Sequence, residues 1–217
     1  MKTNQEYKNA ALAALKGSWA PAVVASIVFI LIIFAISGST SFAPALVVSP
    51  GIIASITGAS FLLSFLVVYP LECGYYNSFK VLYEEGDNKL TQNMFKLGFT
   101  NWLHIVLGYF LMMLIVLLFT LLLIIPGIVM GFAYAMTPFI LVEQPETKVT
   151  DALRKSREMM KGHKFDLFFL ELSFIGWILL CIITLGIGLF WLLPYMQTTI
   201  AAFYNDLKAE TEAAVMQ

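Results

Sequence analysis

Glu171 is the residue whose setting most invites chemistry. It lies about six residues inside a long apolar run that starts at Phe165, which is roughly 9 Å along a helix axis. Burying an ionisable side chain at that depth costs several kcal/mol on most scales, so it is a functional candidate by default. Lys164 stands seven residues earlier on the same helical face, and His104 lies at a comparable, shallower level near the start of another apolar run. A Glu–His–Lys grouping of this kind can hold a proton, a cation or a lipid headgroup. The plainer alternative is a carboxylate that snorkels to the interface or bonds a neighbouring hydroxyl or indole.

Two further polar sets stand out. Glu72, Tyr75, Tyr76 and Asn77 follow one apolar run, while Tyr195, Gln197, Thr198, Thr199 and Tyr204 close another. Together they either line a polar cavity or form an aromatic belt with hydrogen bonds between helices. The segment Asp151–Lys161 is amphipathic. Arg154, Lys155, Arg157, Glu158 and Lys161 share one face, opposite Val149, Ala152, Leu153, Ser156 and Met160. With Lys164, this basic face suits anionic lipid headgroups at about 1 kcal/mol per cation, and the same charges also serve to set orientation. No GxSxG, HExxH, P-loop or GxGxxG pattern occurs, so the expectation is a non-enzymatic protein without a cofactor. Cys73 and Cys181 have no CxxC partner and read as small buried apolar residues rather than metal ligands.

The elements that must position these residues follow from composition. Of 217 residues, 59% are hydrophobic and 12% charged, and the mean hydropathy is +0.83. That is about half the charge of a soluble domain, too little to coat a water-soluble globule. A net charge of −1 argues against a nucleic-acid partner. Apolar runs recur at about the 20 residues needed to cross a hydrocarbon core, without the alternation of a β-barrel strand. The predicted architecture is an all-α, polytopic membrane helical bundle in a single domain. It has six transmembrane helices as three hairpins, with crossings at 20–36, 52–70, 102–125, 128–142, 165–185 and 188–204. Interfacial amphipathic helices are expected near residues 1–19 and at 150–161. The first crossing is read as retained rather than as a leader cleaved near Ser41-Phe-Ala43, because the region before it is long and carries Glu6. Tight turns are expected at Pro126-Gly127 and Leu185–Gly188, and an uncharged loop at 37–50.

Charge orients this arrangement. Of the 13 Lys and Arg residues, three precede the first crossing, three lie between the second and third, six surround the fourth-to-fifth loop, and one follows the sixth. With six crossings all of them fall on one side, which the positive-inside rule makes cytosolic together with both termini.

The last third of the chain also resembles a known family. Ala152-Leu-Arg-Lys-Ser156, Met159-Met-Lys-Gly-His-Lys164, Leu172-Ser-Phe-Ile-Gly-Trp177, Thr184-Leu-Gly-Ile-Gly188, Pro194-Tyr195 and Ala202-Phe-Tyr204 resemble the pattern of the bacterial integral-membrane family called domain of unknown function 975. Ala14-Leu-Lys-Gly-Ser-Trp19 is similar to its N-terminal pattern. The family looks distantly like the membrane region of some glycerophosphodiesterases, but no phosphodiesterase domain is present. The resemblance implies a bacterial inner-membrane protein and no assigned reaction. In Ser173–Trp177, Gly176 is expected to permit close helix approach beside the Trp177 ring. Two functions are then in view. One is a scaffold that binds membrane lipids, a partner protein or a second copy of the chain through its basic face. The other is a small transporter with an intramembrane polar site around Glu171.

Overall fold

The computed structural model describes residues 2–42 and 49–215, and every regular element among them is helical. Part of the loop expected at 37–50, with Ala43 of the leader-like motif, lies outside the described residues.

Helix α1 (Asn4–Leu15) opens on a capping box, in which Glu6 N–H donates to Thr3 Oγ1 at 3.3 Å and Thr3 N–H donates to the Glu6 carboxylate at 2.6 Å. Its buried face carries Tyr7, Ala11 and Leu15, the spacing visible in the sequence. That face packs on α4 (Tyr69–Glu85) and α12 (Leu189–Val215), so its amphipathicity is used inside the protein. Helix α2 (Trp19–Phe42) follows a glycine turn and packs on α12 and α5 (Leu90–Thr100).

Helix α3 (Pro50–Leu63), a π-helical turn (Ser64–Val68) and α4 join into one stretch over Gly51–Glu85, 35 residues long. Pro70 explains the π turn. A proline has no N–H to give and its ring crowds the carbonyl four residues back, here Leu66. The backbone widens so that Tyr69 N–H reaches Ser64 O, and the Leu66 carbonyl turns outward to accept from Trp102 Nε1–H at 2.6 Å. Trp102→Phe is therefore expected to lower stability by about 1–2 kcal/mol by orphaning that carbonyl. Trp177→Phe, where the ring is 52% exposed, is the control. Equal melting temperatures for the two variants in detergent would show that the carbonyl finds another donor.

Helix α5 follows a left-handed Gly86 and crosses α4 at Gly74 and Gly98. A Cβ on Gly74 would lie 1.9 Å from Met94 O, and one on Gly98 would lie 2.3 Å from Pro70 O. Backbone meets backbone here, so this crossing admits only glycine.

Helices α6 (Trp102–Leu122) and α7 (Ile124–Ala133) form a hairpin. Its break falls at the extended Leu123, three residues before the expected Pro126-Gly127 turn. Pro126 sits instead in the first turn of α7, where helical N–H groups lack partners anyway. The fourth crossing is also divided. After α7, a loose turn at 134–136 leads to α8 (Thr137–Glu143), with Pro138 in its first turn. The fifth divides into α10 (Lys164–Leu172) and α11 (Ile175–Ile183) around Ser173 and Phe174. Nothing lies within 4 Å of a Cβ placed on Gly176, so the close helix approach expected there is absent.

Among the described residues, five stretches are long and apolar enough to cross a membrane: Trp19–Ile36, Gly51–Glu85, Trp102–Leu122, Ile124–Glu143 and Lys164–Ile183. The sixth expected crossing, 188–204, lies in the 27-residue α12 and is not among them. Gln197, Thr198, Thr199 and Asn205 dilute its apolar character, and Ala201, Ala202 and Phe203 are buried in the core. Helix α12 is a central packing element, touching α1, α2, α4, α9 (Val149–Met159) and α11.

Candidate functional site

Between α4, α6, α7, α8, α10 and α12 lies a cavity of about 620 Å³. Helical periodicity builds its walls. Helix α6 contributes Tyr109, Met112, Met113, Val116, Leu117 and Thr120, a single face about 16 Å long. Helix α4 contributes Tyr69, Glu72 and Tyr76, α10 contributes Leu167 and Glu171, and α12 contributes Gln197 and Ile200. Each set repeats at three or four residues, so one face of each helix is turned inward. The turn between α7 and α8 supplies Tyr134, Ala135 and Met136, a wall that an unbroken helix would not provide.

Two carboxylates meet this cavity, and no Lys, Arg or His lies among its lining residues. Glu72 accepts from the Tyr76 hydroxyl one turn along α4. Glu171 is half-buried and has no hydrogen-bond or ion-pair partner among the described residues. Tyr109 is 5% exposed, and its hydroxyl has no partner although its ring stacks on Tyr69 at 5.1 Å. A buried hydroxyl left unpaired costs about 1–3 kcal/mol.

The structure thus pairs Glu171 with Glu72 across one cavity, not with His104 and Lys164. His104 lies outside the lining, with Nε2 buried and unpartnered. Lys164 is the first residue of α10, about 10 Å along the axis from Glu171, and is likewise outside. Asn77 is a structural tie. Its amide donates to Cys73 O at 2.8 Å and to Pro138 O at 2.9 Å, joining α4 to α8, and Cys73 Sγ donates to the same Pro138 carbonyl at 3.0 Å. Tyr195 packs edge-on against Phe174 at 5.2 Å, away from the lining. Of the polar set on α12, Gln197 reaches the cavity, whereas the Thr198 and Thr199 hydroxyls donate to the carbonyls of Pro194 and Tyr195.

The basic helix α9 also differs from expectation. Ala152, Leu153, Ser156 and Met159 are buried, and α9 packs on α6, α7, α8 and α12. Its apolar face is therefore spent on the bundle rather than on lipid. Arg154, 69% exposed in its side chain, pairs with Asp151 at 3.1 Å and approaches Glu158 at 3.9 Å, while Arg157 and Lys161 are exposed and Lys155 and Lys164 half-buried.

Sequence reasoning missed a buried charge network. Lys80 Nζ lies 2.5 Å from Glu143 Oε1 and 2.6 Å from Glu84 Oε2, and Glu143 Oε2 accepts from Tyr204 at 2.8 Å and from Lys208 at 3.1 Å. The i,i+4 spacing of Lys80 and Glu84 was the available signal, but Glu143 comes from a distant helix. At the N-terminus, burial raises the Asp206 carboxyl, but the Tyr7 hydroxyl at 2.6 Å and the Lys2 N–H and charge outweigh it and hold it below its ordinary value. The Thr3 N–H and hydroxyl likewise lower Glu6.

A family model described as a protein of unknown function, DUF975, matches residues 105–211, just under half of the chain. This segment belongs to the DUF975 family. No curated protein and no solved structure matches the chain, and the distant likeness to glycerophosphodiesterase membrane regions finds no support in these matches. The DUF975 segment runs from the first turn of α6 into the last third of α12, and it carries Tyr109, Tyr134, Glu171 and Gln197 of the cavity. Glu72 and Tyr76 come from α4, outside it. The two carboxylates are thus supplied by different parts of the chain.

Proposed function

We propose that this protein is a non-enzymatic membrane protein that takes a small, largely apolar molecule into the cavity between α4, α6 and α10, as a small transporter or binding protein. One observation carries this reading: Glu72 and Glu171 meet in a single cavity among helices apolar enough to cross a membrane. Intramembrane carboxylates mark ligand or proton pathways, and Glu171 has no partner among the described residues. With α12 counted as a sixth crossing, the Lys and Arg residues fall to one side, which together with the family resemblance supports a bacterial inner membrane with both termini cytosolic. A second reading, binding of anionic lipid on Arg157, Lys161 and their neighbours, is favoured by their exposure but weakened by the burial of the apolar face of α9.

Gly131 provides the test. It lines the cavity, and a Cβ placed on it meets nothing within 4 Å, so Gly131→Phe adds a ring to the cavity wall without forcing the backbone. Native mass spectrometry in mild detergent is expected to show a bound small molecule on the unaltered protein that Gly131→Phe loses at an unchanged melting temperature. Identical adducts on both proteins would place any ligand elsewhere. Loss of the adduct when Arg154, Lys155 and Arg157 become Gln, with none lost in Gly131→Phe, would favour the lipid reading.

A further inference from the structure

We propose that the cavity selects hydrophobic cations, molecules that join a positive charge to aromatic or aliphatic bulk. This rests on the reading of the cavity as a ligand site and adds the sign of the ligand's charge.

Four features of the lining point the same way. Glu72 and Glu171 are its only ionisable groups other than tyrosines, so the formal charge it can carry is negative, with no cation built in to neutralise it. Charge is costly against so apolar a lining, and a carboxylate there is stable with a proton or with a cationic partner. A cation entering from outside supplies that partner. An anion of the same size and shape meets repulsion from the same two groups, and in a low dielectric that repulsion is strong.

The aromatic groups fit the same guest. Tyr69, Tyr76, Tyr109, Tyr134 and Phe139 all line the cavity, and Tyr69 and Tyr109 stack with their planes 20° apart. Ring faces attract a cation through their quadrupole, most strongly where water is excluded. The Tyr109 hydroxyl, 5% exposed, is a polar atom in this wall with no partner among the described residues. Its oxygen can accept from an ammonium N–H, or turn its lone pairs towards a quaternary centre. Met112, Met113 and Met136 complete the wall with flexible, polarisable side chains that adapt to varied apolar shapes. The volume of about 620 Å³ falls within the ordinary range for small-molecule sites.

Tetraphenylphosphonium and tetraphenylborate separate charge from shape, since they are nearly isosteric and opposite in sign. Equilibrium dialysis against the full chain in a maltoside detergent is expected to show saturable binding of the phosphonium and none of the borate. Glu72→Gln and Glu171→Gln should each weaken phosphonium binding by about tenfold or more, and Gly131→Phe should abolish it. The melting temperature of each variant is measured alongside, and the neutral-to-neutral change Thr57→Val, exposed on α3 and outside the lining, serves as a folding-matched control. Equal binding of the two ions, or phosphonium binding indifferent to both carboxylates, overturns the charge selectivity while leaving the cavity as a site. If neither ion binds but a co-purified molecule is still lost in Gly131→Phe, the cation inference alone falls. If neither ion binds and Gly131→Phe changes nothing, both readings fall.

Discussion

Gly74→Ala is expected to destabilise the protein by about 3 kcal/mol or more, because a Cβ there meets the closest obstacle found at any described glycine. Helix propensity alone predicts the opposite sign, since alanine exceeds glycine by about 1 kcal/mol in a helix interior. Packing decides, because the added carbon would lie 1.9 Å from Met94 O and 2.7 Å from Gly98 N. Both obstacles are backbone, so no side-chain rotation relieves them, and α5 must move away from α4 as a unit. That movement opens the cluster in which Leu71, Tyr75 and Phe79 pack with Leu90 and Met94. Gly58→Ala and Gly176→Ala, where nothing lies within 4 Å, should be neutral or slightly stabilising. Thermal unfolding in detergent, with size-exclusion chromatography, distinguishes these outcomes. A Gly74→Ala protein that melts with the parent would mean that α4 and α5 do not approach so closely.

Lys80→Met should cost about 3–5 kcal/mol, because it removes the cation that holds two carboxylates in a largely enclosed site. The Lys80 side chain is 9% exposed and Glu143 is 13% exposed, while Glu84 at 30% can turn to solvent. Without Lys80, Glu143 keeps the Tyr204 hydroxyl and Lys208, but Lys208 approaches from the more exposed side. The loss therefore reports a buried charge left only partly compensated, by Lys208 and Tyr204, rather than the net worth of the ion pair. The double change Lys80→Met with Glu143→Leu, which removes both charges, should recover most of the stability. A double variant no more stable than Lys80→Met alone would show that packing by the lysine stem, rather than charge, is what matters at this point.

Much of the architecture was legible because the signals are local. The burial of Tyr7, Ala11 and Leu15 follows from helical spacing, as does the burial of Ala152, Leu153 and Ser156 opposite Arg154 and Arg157. What those faces pack against was not legible. The same periodicity suits a bilayer surface and a protein interior, and here both helices lie against the bundle. Helix ends shifted for a similar reason. Pro126, Pro138 and the run at Ser173-Phe174 announce irregularity, but the residue at which the chain breaks depends on which carbonyls neighbours can satisfy.

The candidate site divides in the same way. Glu171 and Glu72 each stood out as ionisable groups in or beside apolar runs, and Tyr76 lines the cavity with them, but the other residues grouped with Glu171 do not. Lys164 and His104 do not line the cavity that Glu171 lines, and Asn77 proved to be a tie to Pro138. Sequence alone determined that this is an all-helical chain too apolar for a soluble globule, and which few ionisable residues enter apolar runs. These follow from composition and from a period of 3.6 residues, which are properties of single segments. Only the tertiary structure decided that Glu72 and Glu171 share a cavity, that Gly74 and Gly98 let two backbones touch, and that Lys80 finds Glu143 across 63 positions of sequence. Each of these depends on how far apart two helices lie and how they are rotated, and that is set by the packing of all their neighbours at once.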